Sequence, residues 1–221
     1  MEMVQFHPTG LLAGAGTRMT GTVLEEGLRG AGGYLLDAGR ARFMQHYDPR
    51  AERATRDVVS RSIMRRIRDG HATPHGGVYI QMSHLGPADV AAKFKGMVER
   101  CADCGFDLAG GLVEVIPTAH YMMGGVAFRP GCGTELPRLY AAGEDTGGVH
   151  GANRLGGNGV ANSTVFGGLA GSAMARDVRG VRRLAKPDPH AVEAGLARAY
   201  GPLGRPAGDL EAIREALYAT M

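Results

Sequence analysis

The chain has 221 residues, 44% of them hydrophobic and 21% charged, with a formal net charge of +3; this suffices for one large domain or two small ones around a buried core. The basic residues are scattered singly, without the stripe that nucleic-acid binding needs, and no run approaches the roughly 18 uninterrupted apolar residues of a membrane helix. The three cysteines are too few and too odd in number for a disulfide framework and point to a reducing compartment.

In chain order, residues 3–6 read as a short strand that begins without a lead-in, followed by a glycine-rich loop to Gly21. Glu2 interrupts any signal-peptide pattern, so none is expected. Residues 22–36 mix a helical turn with a turn at Gly30–Gly33. Thr55 is placed to cap a helix running to Arg68, with Asp57 in its first turn. A β-branched and aromatic strand spans Gly77–Met82, and Pro87 opens an amphipathic helix reaching Cys104. Cys101 and Cys104 form a lone C-x-x-C. Without a second pair it is weak evidence for zinc, and two helix cysteines is the plainer reading. Apolar strands are expected at Val113–Ile116 and Leu139–Ala142. Residues 159–177 alternate small and apolar types, suiting a helix packed closely on a sheet. Pro187 and Pro189 mark a linker, and 190–219 read as helical with a break around Gly201–Pro206. The pattern stops without a cap, so an interior piece of a longer polypeptide is expected.

The 36 glycines are more than twice the usual share, and they cluster where backbone must turn tightly or lie close to a ligand. Three glycine-rich surroundings hold unusual polar groups: Phe6-His7-Pro8-Thr9-Gly10, Pro117-Thr118-Ala119-His120-Tyr121 and His150-Gly151-Ala152-Asn153-Arg154-Leu155-Gly156. Arg154 is suited to a carboxylate, which a guanidinium meets in bidentate fashion. His7 and His120 taken singly are more often structural. Glu26 and Arg29, three apart, share a face on a helical turn. For Arg56 the plain alternative is a surface pair with Asp57. Glu144 ends an apolar run at the lip of a glycine loop, and Gly159 and Val160 open a helix whose free N–H groups suit an anionic edge.

The strings MEMVQFHPTG, EEGLRGAGG, ATRDVVSR, PTAHYMMGG, AAGED and HGANRLGGNG occur in an order and spacing that resemble the flavoprotein subunits of succinate dehydrogenase and fumarate reductase, from residue 1 to about 185. The resemblance implies an α+β chain: a capping domain over 1–117, the C-terminal part of a Rossmann-like FAD-binding domain over 118–185, and a linker with the start of a helical region over 186–221. It implies FAD as cofactor, no metal, and succinate–fumarate oxidoreduction by hydride transfer with FAD. His7, His120 and Arg154 would bind the carboxylates of a four-carbon dicarboxylate. Arg56 would donate the proton, relayed through Glu26 and Arg29; Glu144, Gly159 and Val160 would contact FAD. Arginine is an unusual acid, since a free guanidinium keeps its proton to about pH 12, and it serves only where neighbouring cations and exclusion of water disfavour its charge. An iron–sulfur subunit is an expected partner, with the chain cytoplasmic, on the inner face of the membrane through partner subunits.

At one position the sequence departs from the family pattern. Glu25 stands where a threonine usually contacts a substrate carboxylate, and an anion about 4 Å from that carboxylate would cost up to ~4 kcal/mol at an effective dielectric near 20. Glu25 therefore either turns away or marks a different substrate. L-aspartate oxidase resembles this chain at the same positions, and a non-catalytic fragment is the reading of a different class. The G-x-G-x-x-G fingerprint of FAD binding has only a near match at Gly14–Met19, which lacks the third glycine and a preceding buried strand; it reads as a decoy.

Overall fold

The computed structural model describes residues 3–13, 19–181 and 186–220, so the near match at Gly14–Met19 lies mostly outside the described residues. Contacts divide the chain at Val178/Arg179 into two compact units.

The first unit is built on a four-stranded antiparallel sheet in the order β1-β4-β3-β2, with β1 Val4–Leu11, β2 Tyr34–Leu36, β3 Val78–Gln81 and β4 Leu112–Met122. β1 is longer than its opening residues suggest because β4 gives it a partner along its whole length. Their ladder slips twice, between Gln5 and Phe6 and between His7 and Gly10. At the first slip Gln5 faces Tyr121 and Phe6 faces Ala119, so His120 is the extra residue of a bulge. At the second, Pro8 and Pro117 fall in the interrupted stretch, where neither has an N–H to give the ladder. β4 runs unbroken through residues 117 and 118.

Helix α1 is a single turn, Gly27–Gly30, and α2 spans Arg56–Arg66. Thr55 has the extended backbone of a cap, but its hydroxyl donates to the Asp57 carboxylate (2.6 Å) instead of capping an N–H. α2 lies against β1, anchored by fully buried Val59 and Ile63 and by Ser60 donating to the Phe6 carbonyl (3.2 Å). This packing brings the start of α2 over Gln5. Each fully buried aliphatic side chain contributes about 1.5–3 kcal/mol.

Two sequence expectations are corrected here. The helix expected over 87–104 is two, α3 Pro87–Lys93 and α4 Lys95–Ala102. The break falls at Phe94, which leaves helical dihedrals (φ −119°, ψ 36°) as its ring enters the core. Cys104 thus lies beyond the helix, while buried Cys101 has its thiol pushed up to about 12 by burial and the neighbouring Cys104. The strand expected at Leu139–Ala142 is only an isolated bridge, Gly133 with Tyr140; the short apolar run finds a turn for a partner, not a sheet.

Helix α5, Asn158–Arg179, forms where expected. It is not packed along its length on the described sheet. Ala170, Ala173 and Asn162 are buried, whereas Val160, Val165 and Leu169 are exposed.

The second unit holds α6, Pro189–Tyr200, and α7, Leu210–Thr220, separated by a 3-10 turn at Gly201–Gly204. Asp188 caps α6 by accepting from the His190 N–H (3.0 Å), and Pro189 fills the first position, where no N–H is needed. Among the described residues no helix is long and apolar enough to cross a membrane.

Candidate functional site

Polar residues point inward along β1 while apolar ones point out. Gln5 and His7 are buried, and Val4 and Phe6 are exposed. An inverted alternation of this kind loses apolar burial, so the buried polar groups must find partners in the fold.

The bulge at His120 supplies one. It turns that imidazole toward His7, their rings 5.2 Å apart and edge-to-face. His7 is buried. The Thr9 N–H points at its Nδ1 (3.3 Å), which makes Nδ1 an acceptor and leaves the proton on Nε2. Burial first, then the charges of Arg56, Arg29, His120 and Arg154, lower its pKa to about 3. His120, exposed at the bulge, is lowered for the same reasons, with Arg56 and Arg154 the leading charges. At neutral pH His7 is therefore a neutral N–H donor.

The second part comes from α1 and α2. The Glu26 carboxylate is shared: Oε1 accepts from Arg29 Nη2 (3.2 Å), and Oε2 accepts from Arg56 Nη2 (2.8 Å) and Nε (3.2 Å). Burial works to raise the Glu26 carboxyl, but the two guanidiniums outweigh it and hold it below its usual value. Arg29 is almost fully buried and donates also to the Glu52 carbonyl (2.5 Å). Burial, opposed by Glu26 and reinforced by Arg56, lowers its pKa. Arg56 is buried and pairs with Glu26, not with Asp57, which pairs with Arg61.

The third part is the loop before α5. Arg154 is buried, with its guanidinium stacked 4.2 Å from the Tyr121 ring centroid and its Nε without a partner. Burial and the Arg56 charge lower its pKa. Tyr121 in turn meets His150 edge-to-face and receives a long contact from the Asn162 amide (3.4 Å). Two glycines make this approach possible. A Cβ on Gly156 would fall 2.5 Å from Glu26 Oε2, and one on Gly159 would fall 2.9 Å from the Tyr121 ring.

The structure thus brings His7, His120, Arg56, Arg154, Glu26 and Arg29 into one cluster, in which Arg29 and Arg56 share the Glu26 carboxylate and Arg154 makes no ion pair among the described residues. Glu25 is exposed, and among the described residues its carboxylate makes no hydrogen bond or ion pair; it lies folded beside Gly27. Glu144 is also exposed and accepts from the Met122 N–H at the end of β4 (2.9 Å). It sits in a 3-10 turn, Gly143–Asp145, not at the end of a strand. A groove of about 890 Å³, with Phe6, Arg61 and Met123 in its walls, is lined by none of the six cluster residues; it comes nearest them at Gln5, which bonds to Arg56 (3.0 Å), and at Asn153. Sequence reading missed Gln5 and Tyr121. Gln5 was detectable, because a period of two puts it on the face of His7.

The profile of a family described as an FAD binding domain matches residues 1–160. The chain belongs to this FAD-binding flavoprotein family. Its relatives include fumarate reductase and succinate dehydrogenase flavoprotein subunits and L-aspartate oxidases. A fumarate reductase (CoM/CoB) subunit of Methanothermobacter marburgensis is 48% identical over 177 residues, 80% of this chain and 32% of that protein. L-aspartate oxidase of Synechocystis is 38% identical over 168 residues, 75% of this chain and 30% of that protein. Among solved structures, a quinol-fumarate reductase with menaquinol molecules superposes with a TM-score of 0.81 at 33% identity, over 97% of this chain and 40% of that one. The mixed helix-and-sheet fold is therefore that of the fumarate reductase flavoprotein, and the chain spans about a third of the length of the curated relatives it matches.

The family's cofactor is FAD. The residues at the start of α5 fit an anionic ligand edge: Asn158 and Val160 are exposed, and the first turn holds no acidic residue. Its unsatisfied N–H groups and positive dipole end are available there. Among the described residues no group of three or more His, Cys, Asp or Glu could hold a metal.

Proposed function

We propose that the complete flavoprotein containing this chain interconverts succinate and fumarate. The observation that carries this reading is the Glu26 carboxylate shared by Arg29 and Arg56, set beside His7, His120 and Arg154. In this reading residues 1–117 form the cap, 118–185 belong to the FAD-binding domain, and 186–221 begin the helical region. Bound FAD, contacted by Glu144, Gly159 and Val160, supplies or accepts the hydride.

The chain's own residues do the rest. Arg154 grips one substrate carboxylate in bidentate fashion, its guanidinium plane set by the Tyr121 ring. His7 Nε2–H and His120 serve as further donors to the carboxylates. As hydride reaches one alkene carbon of fumarate, the electron pair of the double bond takes a proton from Arg56 at the neighbouring carbon. Glu26 passes a replacement to Arg56, drawn through Arg29. Glu25, folded beside Gly27, is spared the repulsion of a substrate carboxylate. A cap closing over the site would exclude water. An iron–sulfur subunit would carry the electrons, with the chain on the inner face of the cytoplasmic membrane through its partners.

The test is to reduce or oxidise the complete flavoprotein with succinate, fumarate and L-aspartate while following flavin absorbance. Bleaching by succinate supports the proposal. Bleaching by L-aspartate alone replaces it with the L-aspartate oxidase reading, which the Synechocystis relative favours. The non-catalytic reading is tested by titrating the 221-residue chain with FAD: a tight yellow complex eliminates it.

A further inference from the structure

We propose that Gln5 is a positioning residue that locks the proton-donating arginine to the substrate-gripping loop while keeping that arginine's second flank uncharged. This rests on the roles given to Arg56 and Arg154 above. Gln5 is buried, and its amide is fully committed. Oε1 accepts from Arg56 Nη1 (3.0 Å), and Nε2 donates to the Asn153 Oδ1 (2.9 Å) and to the Arg154 carbonyl (2.6 Å). One side chain on β1 thus ties the start of α2 to the loop before α5, segments about a hundred residues apart. The orientation of the amide is forced, since only its oxygen can receive the guanidinium and only its two N–H bonds can meet two oxygens.

The choice of a neutral acceptor has a chemical consequence. Arg56 already has one anionic partner, Glu26, which it shares with Arg29. A carboxylate at position 5 would give it a second and hold the guanidinium in its charged form, so proton release to carbon would become harder. It would also face the Asn153 and Arg154 oxygens with no hydrogen to offer. An apolar residue of the same length would leave Arg56 mis-aimed and the Arg154 carbonyl loose. Gln5 satisfies both demands, and among the described residues no other side chain bonds both Arg56 and the Arg154 backbone.

The experiment compares the complete, FAD-loaded flavoprotein with its Gln5→Glu and Gln5→Met variants. It measures kcat and KM for fumarate from pH 6 to 9, malonate affinity by calorimetry, and the unfolding midpoint. With Gln5→Glu, kcat falls by on the order of tenfold or more at pH 8 while KM and malonate affinity change by less than about threefold, a loss of proton transfer and not of binding. The deficit persists across pH 6 to 9, because the Arg56 guanidinium keeps the introduced carboxyl group ionised. With Gln5→Met, kcat and malonate affinity both fall. Unchanged kcat in Gln5→Glu would overturn the proposal. So would equal loss of kcat and malonate affinity at every pH with a lowered unfolding midpoint, which is what a purely structural role gives. If the unmodified flavoprotein fails to reduce fumarate, the dicarboxylate reading falls and takes this inference with it.

Discussion

Acid should weaken this fold through His7. In the native chain burial and the surrounding cations hold its pKa at about 3, against 6.5 for the exposed side chain. Between those values the unfolded chain binds a proton that the native chain refuses, so stability rises with pH there. The contribution of neutral His7 is complete above about pH 6.5 and is lost as pH falls toward 3. At pH 5 the unfolded imidazole is almost fully protonated and the native one almost fully neutral, which costs about 2 kcal/mol relative to pH 8. His120 and His150 are shifted in the same direction by burial, so the share of His7 must be isolated by difference. Urea unfolding of the chain and of His7→Gln, each at pH 8 and pH 5, gives that difference. The wild-type chain should lose about 2 kcal/mol more on acidification than the variant. A His7 ring-proton resonance that titrates near pH 6.5 in the folded chain, or identical acid losses in both proteins, would refute the account, and with it the assignment of His7 as a neutral donor.

Two glycine substitutions should separate fold from chemistry. Gly159→Ala drives a Cβ against the Tyr121 ring; the ring and the stacked Arg154 cannot both stay, so thermal unfolding should show a loss of about 1–3 kcal/mol and calorimetry weaker malonate binding. Gly156→Ala instead meets the Glu26 carboxylate, which can turn aside only by loosening its bonds to Arg56, so fumarate turnover should fall while the unfolding midpoint drops less than for Gly159→Ala. Ile63→Ala, fully buried under α2, should cost about 2–5 kcal/mol in urea unfolding. If that loss is below about 1 kcal/mol, α2 is not anchored on β1 as described.

The sequence by itself determined the residue types and most of the local elements. Thr55 with Asp57 marked the start of α2, alternating small and apolar residues marked α5, and β-branched and aromatic residues marked β3, whereas Pro189, read as part of a linker, is the first residue of α6. Ordered motifs around His7, Glu26, Arg56, His120 and Arg154 resemble those of a flavoprotein family, and that resemblance, not their composition, implied the carboxylate-binding roles. What it left open were relations between distant segments. Nothing local says that His120 is a bulge residue; the pairing of β1 with β4 decides it, since a bulge exists only relative to a partner strand. Phe94 breaks a helical pattern because the core claims its ring, and Leu139–Ala142 forms no strand because no sheet edge among the described residues pairs with it. Gln5 was visible on the face of His7, but its value lies in two partners, Arg56 and Arg154, 51 and 149 positions away in the chain. Hydrogen bonds and charges act over a few ångströms of space, and only the tertiary structure turns separation along the chain into that proximity.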